Sequence, residues 1–147
     1  MIIHQGGAFG GMSLYAKGGK AKFAYNFFGL QTFTTEASQS IPAGKHQVRM
    51  EFAYDGGGLG KGGNVSLYYD GKKVGEGRLE RTVPMMFSAD ETTDLGRDTA
   101  TPVSSDYTRL TSVFNGKVNW VQIDLGKDAH DHFITPEQRL NLAMARQ

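Results

Sequence analysis

Apolar and polar side chains alternate through most of this chain. Across residues 45–54, Val48, Met50, Phe52 and Tyr54 fall on one face, and Gln47, Arg49 and Glu51 on the other. A period of two held over such a run predicts a β-strand with one buried face. Val65, Leu67 and Tyr69 alternate with Ser66 and Tyr68 in the same way. Asp70-Gly71 then supplies a left-handed turn that predicts a hairpin onto Lys73 and Val74. Val121, Ile123 and Leu125 predict a further strand, with Trp120 on its opposite face beside Gln122 and Asp124. The first third holds three strand-like runs, GMSLYAK, KAKFAYNFF and LQTFTTE, separated by Gly18-Gly19 and by Gly29. That is the pattern of an antiparallel meander.

Helical signals gather only at the C-terminal end. Thr135 offers an N-cap, Pro136 a first helical position and Gln138 the residue three past the cap. Leu140, Ala143 and Met144 then share one helical face. Residues 88–111 are rich in Asp, Thr and Ser and predict a long surface excursion with room for one short strand. No repeat or boundary divides residues 1–147. The expectation is a single all-β domain, an antiparallel β-sandwich of the jelly-roll, concanavalin A-like kind, with one short C-terminal helix.

Composition fits such a domain and narrows its chemistry. Hydrophobic residues make up 39% and charged residues 21%, a globular balance. Glycine is frequent at 20 residues and proline scarce at 4, which suits many tight turns. Lys plus Arg total 16 against 15 for Asp plus Glu, so a net charge of +1 argues against nucleic acid and anionic membrane as partners. No apolar run approaches the roughly 18 residues of a membrane span. The chain has no cysteine, which excludes disulfides, thiolate metal sites and a cysteine nucleophile. The opening MIIHQGG lacks the basic and apolar regions of a signal peptide. It reads as a strand that starts abruptly, as in a domain cut from a longer chain or a shortened gene.

Several motifs invite a chemical reading. Gly58, Gly60 and Gly63 fit a dinucleotide fingerprint by spacing, but a strand follows them where the pyrophosphate needs a helix N-terminus. A loop between two strands is the plainer reading. The segment around Asp94 and Asp98 clusters carboxylates, and calcium is the cation that such oxygen donors would take. It lacks the order of an EF-hand loop, so an acidic surface loop whose carboxylates cap turns, or pair with Arg97 or Arg81, is favoured. Asp128, His130, Asp131 and His132 offer zinc or nickel ligands, although neighbouring side chains on an extended segment point apart. Trp120 and Tyr68, with Lys72 and Lys73, are the candidate ligand-binding residues; packing is the simpler role for a lone tryptophan.

The run EFAYDGGGLGKGGNVSLYYDGKKVGEGRLERTVPMMFSADETTDLGRDTATPV resembles the C-terminal region of bacterial formylglycine-dependent arylsulfatases. GGMSLYAKGGKAKFAYNFFGL resembles the opening of that region, and GKVNWVQIDL with PEQRLNLAMARQ its end. SLYYDGKKVGEG is also similar to a hairpin of concanavalin-like and laminin-G-like sandwiches. The resemblance implies a bacterial protein, cytoplasmic or periplasmic, whose catalytic α/β domain is a separate unit preceding this region. It brings no catalytic residue. Ser40-Ile41-Pro42-Ala43-Gly44 is the one serine approximation to the formylglycine pattern, and it ends in glycine instead of arginine.

Three roles compete. The first is a non-catalytic accessory domain of an arylsulfatase, packed on the catalytic domain, shaping substrate access or forming homo-oligomer contacts. The second is a carbohydrate-binding module for sulfated or neutral glycans. The third, ranked last, is an independent hydrolase built on carboxylates such as Glu36 and Glu51, which nothing in the sequence places together.

Overall fold

The structure, a computed structural model, describes residues 1–84, 87 and 91–126. Over the described residues it is all-β, with two antiparallel sheets packed as a sandwich. Strands β1 (Ile3–Gly7), β2 (Gly10–Lys17), β3 (Lys20–Phe27) and β4 (Gln31–Glu36) form the expected meander. Strands β5 (Val48–Tyr54), β6 (Gly63–Tyr69) and β7 (Lys72–Leu79) form a second one. The short β8 (Thr93–Leu95) then returns to lie beside β1. The sheets therefore run β4-β3-β2-β1-β8 and β5-β6-β7, and β8 makes a Greek-key return. The expected C-terminal helix, the Asp128–His132 cluster and part of the acidic segment lie outside the described residues.

Turn chemistry sets the hairpins. Asp70 and Gly71 take φ of 47° and 83°, the left-handed pair that matches strand twist in a two-residue hairpin. Gly18 and Gly19 do the same between β2 and β3, at 59° and 78°. The glycine-rich residues 55–62 join β5 to β6 as a loop, with a strand and no helix after it.

The core lies between the sheets. Leu14, Phe23, Tyr25 and Phe33 meet Val65, Leu67, Tyr69, Val74 and Leu79 there. Tyr69 stitches the layers, accepting from the Ala21 amide at 2.8 Å and donating to the Gln39 carbonyl at 3.1 Å. The sandwich is tightest where β4 passes β7. The Ser38 amide donates to the Val74 carbonyl at 2.7 Å, and a Cβ on Gly77 would stand 2.1 Å from Thr35 Oγ1.

Two expectations are corrected. Residues 121–125 form no strand: Val121 is half-buried, Ile123 and Leu125 are exposed, and no described ladder includes them. Alternation gives a strand a face but not a neighbour to bond with. The polar stretch before them is no simple surface excursion. Residues 96–112 cover the outer face of the five-stranded sheet, burying Asp98, Val103, Ser104, Tyr107 and Ser112. The strands beneath are thus buried on both faces. Ser13, Tyr15, Ala24 and Asn26, which point away from the core, are all under 9% exposed.

Gly77→Ala should overpack the β4–β7 contact and lower stability by about 1–3 kcal/mol. Thr35→Ala in the same chain should return part of the loss. Urea unfolding of the three variants checks this, and a neutral Gly77→Ala would show that β4 and β7 are not in close contact.

Candidate functional site

The outer face of the five-stranded sheet carries a buried polar network. His4 on β1 stands in register with Asp94 on β8, and its Nε2 lies 3.2 Å from Asp94 Oδ2 and 3.7 Å from Asp98 Oδ1. Its Nδ1 meets the Gly6 carbonyl at 3.2 Å. Asp94 also accepts from the Thr99 amide at 2.9 Å and from the Thr99 hydroxyl, and these bonds hold its carboxyl below the usual carboxylate range. Asp98 accepts from the Ala100 amide at 3.1 Å, and burial pushes its carboxyl up against the opposing pull of His4. The two candidate calcium ligands therefore converge on a histidine and cap turns. They pair with neither Arg97 nor Arg81 in any described contact. Among the described residues no group of three His, Asp or Glu side chains is disposed to hold a metal.

Asp106 anchors the same cover further along. It accepts from Tyr15 at 2.8 Å, Lys22 at 3.1 Å and Lys17 at 3.2 Å. Burial alone would raise its carboxyl, but these donors hold it low. Lys22 and Lys20 also pair with Glu36, at 2.9 and 3.2 Å. Glu51, on the other sheet, pairs with Arg49 at 2.8 Å. The structure thus separates the two carboxylates weighed for a hydrolase and gives each a cationic partner.

Asn26 controls one end of this sheet. Its Nδ2 faces the carbonyls of Ala8, Val103 and Gly7 at 3.1, 3.2 and 3.4 Å, and its Oδ1 accepts from the Gly29 amide at 2.7 Å. One buried amide thereby ties the β1–β2 turn to the β3–β4 turn and to the cover. The Ala8 amide adds a bond to Thr101 Oγ1 at 2.8 Å. Large apolar side chains stand on the turns so fixed: Phe9 is 73%, Phe28 42% and Leu30 82% exposed. Phe28 takes a φ of 54° in the turn closed by the Leu30 amide on the Phe27 carbonyl. An aromatic residue in the left-handed region costs roughly 1–2 kcal/mol relative to the Asn usual there.

The other end of the sheet opens into a cleft of about 570 Å³ between residues 41–48 and 114–120, also lined by Ile2. Trp120 lines it, 59% exposed, beside Lys45, Gln47, Lys117 and Asn119. Tyr68, Lys72 and Lys73 do not line it. The Arg49 guanidinium covers the Tyr68 ring at 4.4 Å, and Lys73 pairs with Glu76 at 2.6 Å. Sequence reasoning missed Lys45 and Lys117, which lie far apart along the chain, and it missed the Phe9–Phe28–Leu30 tip. The signal for the tip was Phe28-Gly29 standing where Asn-Gly is the ordinary turn pair.

No family model matches this chain, and no curated protein or solved structure matches it. The arylsulfatase resemblance rests on the quoted sequence runs alone.

His46 lies beside the cleft, its Nδ1 2.6 Å from Asp70 Oδ2 and its Nε2 3.1 Å from the Ala43 carbonyl. The Asp70 carboxylate, then the Ala43 carbonyl, raise the imidazole above its usual 6.5. The Gln47 amide and His46 hold Asp70 below 3.8. The raised histidine contributes stability that is complete below pH 6.5 and is lost as pH rises through its folded value. The depressed carboxylate contributes above pH 3.8 and loses it as pH falls through its own folded value. The pair is at full strength between these limits. Proton NMR titration should place the His46 midpoint above 6.5 and return it toward that value in Asp70→Asn. A midpoint at or below 6.5 in the unaltered protein would contradict the pairing.

Proposed function

We propose that this chain is a non-catalytic accessory domain that docks on a larger protein through the Phe9–Phe28–Leu30 tip. The partner that its sequence resemblance favours is the catalytic α/β unit of a formylglycine-dependent arylsulfatase. The tip is the observation that carries the reading. Three large apolar side chains sit on turns that water should favour as polar, and one is held in a strained backbone conformation. Strain kept at a partly exposed aromatic residue, whose one ring contact among the described residues is with its neighbour Phe27, supports a role in recognition. Buried Asn26 fixes both turns, so little ordering is left to do on binding. The absence of cysteine, and of arginine at Gly44, supports a role without sulfatase chemistry of its own.

The test measures association with an arylsulfatase catalytic domain lacking its own C-terminal region. Phe9→Ser with Leu30→Ser should weaken it by at least about 2 kcal/mol, roughly thirtyfold. Phe28→Asn should also weaken it while leaving unfolding stability within about 1 kcal/mol, since relief of strain offsets the lost edge-to-face contact with Phe27. Association that ignores all three changes would remove the tip from the account. Self-association of the isolated chain through the tip would replace the arylsulfatase partner with a second copy.

A further inference from the structure

We infer that the cleft beside Trp120 is a binding site for an anionic saccharide, a sugar bearing sulfate or carboxylate groups. It is separate from the docking tip. In the register of β1, Gly7 lies opposite Gly10 at the tip end, whereas Ile3 lies opposite Leu95 at the cleft end. The inference therefore does not rest on the docking reading.

Three features select the ligand. Trp120 lines the cleft and is well exposed, and aromatic faces stack on the C–H faces of pyranose rings. Gln47 and Asn119 bring side-chain amides to the same lining, able both to donate to and accept from hydroxyls. Lys45 and Lys117 stand on opposite walls, and neither has a carboxylate within ion-pair distance among the described residues. Two ammonium groups with no ion-pair partner among the described residues, on the same cleft as an exposed ring, favour a ligand with fixed negative charge over a neutral sugar.

The walls are held in place. His46 spends both ring nitrogens on Asp70 and Ala43, and the Gln47 amide donates to Asp70 Oδ1 at 2.8 Å, which fixes the loop that carries Lys45 and Gln47. On the other wall the Phe114 amide donates to the Gly96 carbonyl at 2.8 Å, just past the end of β8. Two cations on a chain of net charge +1 do not make the phosphate-tracking groove that a nucleic acid needs.

Trp120 is the one tryptophan in the chain, so its emission reports on this cleft directly. The full chain is titrated with a heparin-derived hexasaccharide, its desulfated counterpart, a neutral glucan hexasaccharide and a single-stranded oligonucleotide of matched charge. A saturable emission change with the sulfated sugar is expected, weakening with added salt. Lys45→Ala with Lys117→Ala should lower the affinity at least tenfold and leave the unfolding midpoint in place, because both side chains are exposed. Lys61→Ala with Arg109→Ala removes as much charge away from the cleft and should lower it less than twofold. Overturning results are no saturable change, an equal response to the neutral glucan, equal losses in the two double variants, or tighter binding of the oligonucleotide.

Discussion

A two-layer sandwich leaves the outer face of each sheet to water, and the outer face of β1 to β3 is not left to it. His4, Ser13, Tyr15 and Asn26 point away from the core yet are buried. Each carries polar atoms whose desolvation, unmatched, costs on the order of 1–3 kcal/mol. The 96–112 cover, with Asp94 of β8, is tolerated there because it brings acceptors to His4, Tyr15 and Asn26: Asp94 and Asp98 to His4, Asp106 to Tyr15, the Val103 carbonyl to Asn26. The Ser13 hydroxyl is the exception and is left without a hydrogen-bond partner among the described residues. Met1, Tyr15, Ala24 and Tyr107 add an apolar patch beneath it, with the two tyrosine rings edge to face at 5.2 Å. This matching of polar groups across the outer face is the constraint on which the rest of the molecule depends.

Both ends of the sheet inherit their order from it. At one end Asn26 and Thr101 hold the turns that carry Phe9, Phe28 and Leu30. At the other, the chain leaving the cover bonds the end of β8 through Phe114 and runs on as a wall of the Trp120 cleft. A domain so arranged presents two different chemistries at opposite ends of β1: an apolar tip suited to a protein surface, and a cationic aromatic cleft suited to a charged sugar. The two proposed surfaces are therefore separate, and burying the tip would leave the cleft open.

Much of the sandwich was legible in the sequence. The alternation in β6 and the Asp70-Gly71 and Gly18-Gly19 turns each express local physics, and the structure keeps them. β5 forms as a strand, but as an edge strand whose apolar face is only half-buried, with Phe52 exposed. What failed depended on pairing across long separations. Val121, Ile123 and Leu125 alternate without a strand to bond to. The 96–112 cover reads as surface because its residues are polar, and only the buried His4, Tyr15 and Asn26 opposite explain why it is not. Trp120 was visible as an aromatic residue among polar ones. Its cleft was not, because Lys45 and Lys117 meet only through the fold. Tyr68 and Lys73 lie away from that cleft, where Arg49 stacks on the one and Glu76 pairs with the other.

The most direct test of the polar cover is native-state hydrogen exchange at its own amides. Asp98 donates to Ser112 Oγ at 2.9 Å and Thr99 to Asp94 Oδ2 at 2.9 Å, both within the cover and its junction with β8. If the cover is part of the folded unit, these amides exchange within about tenfold of those in β2 and β3. Exchange at the rate of an open loop, with the sheet beneath still protected, would contradict the account.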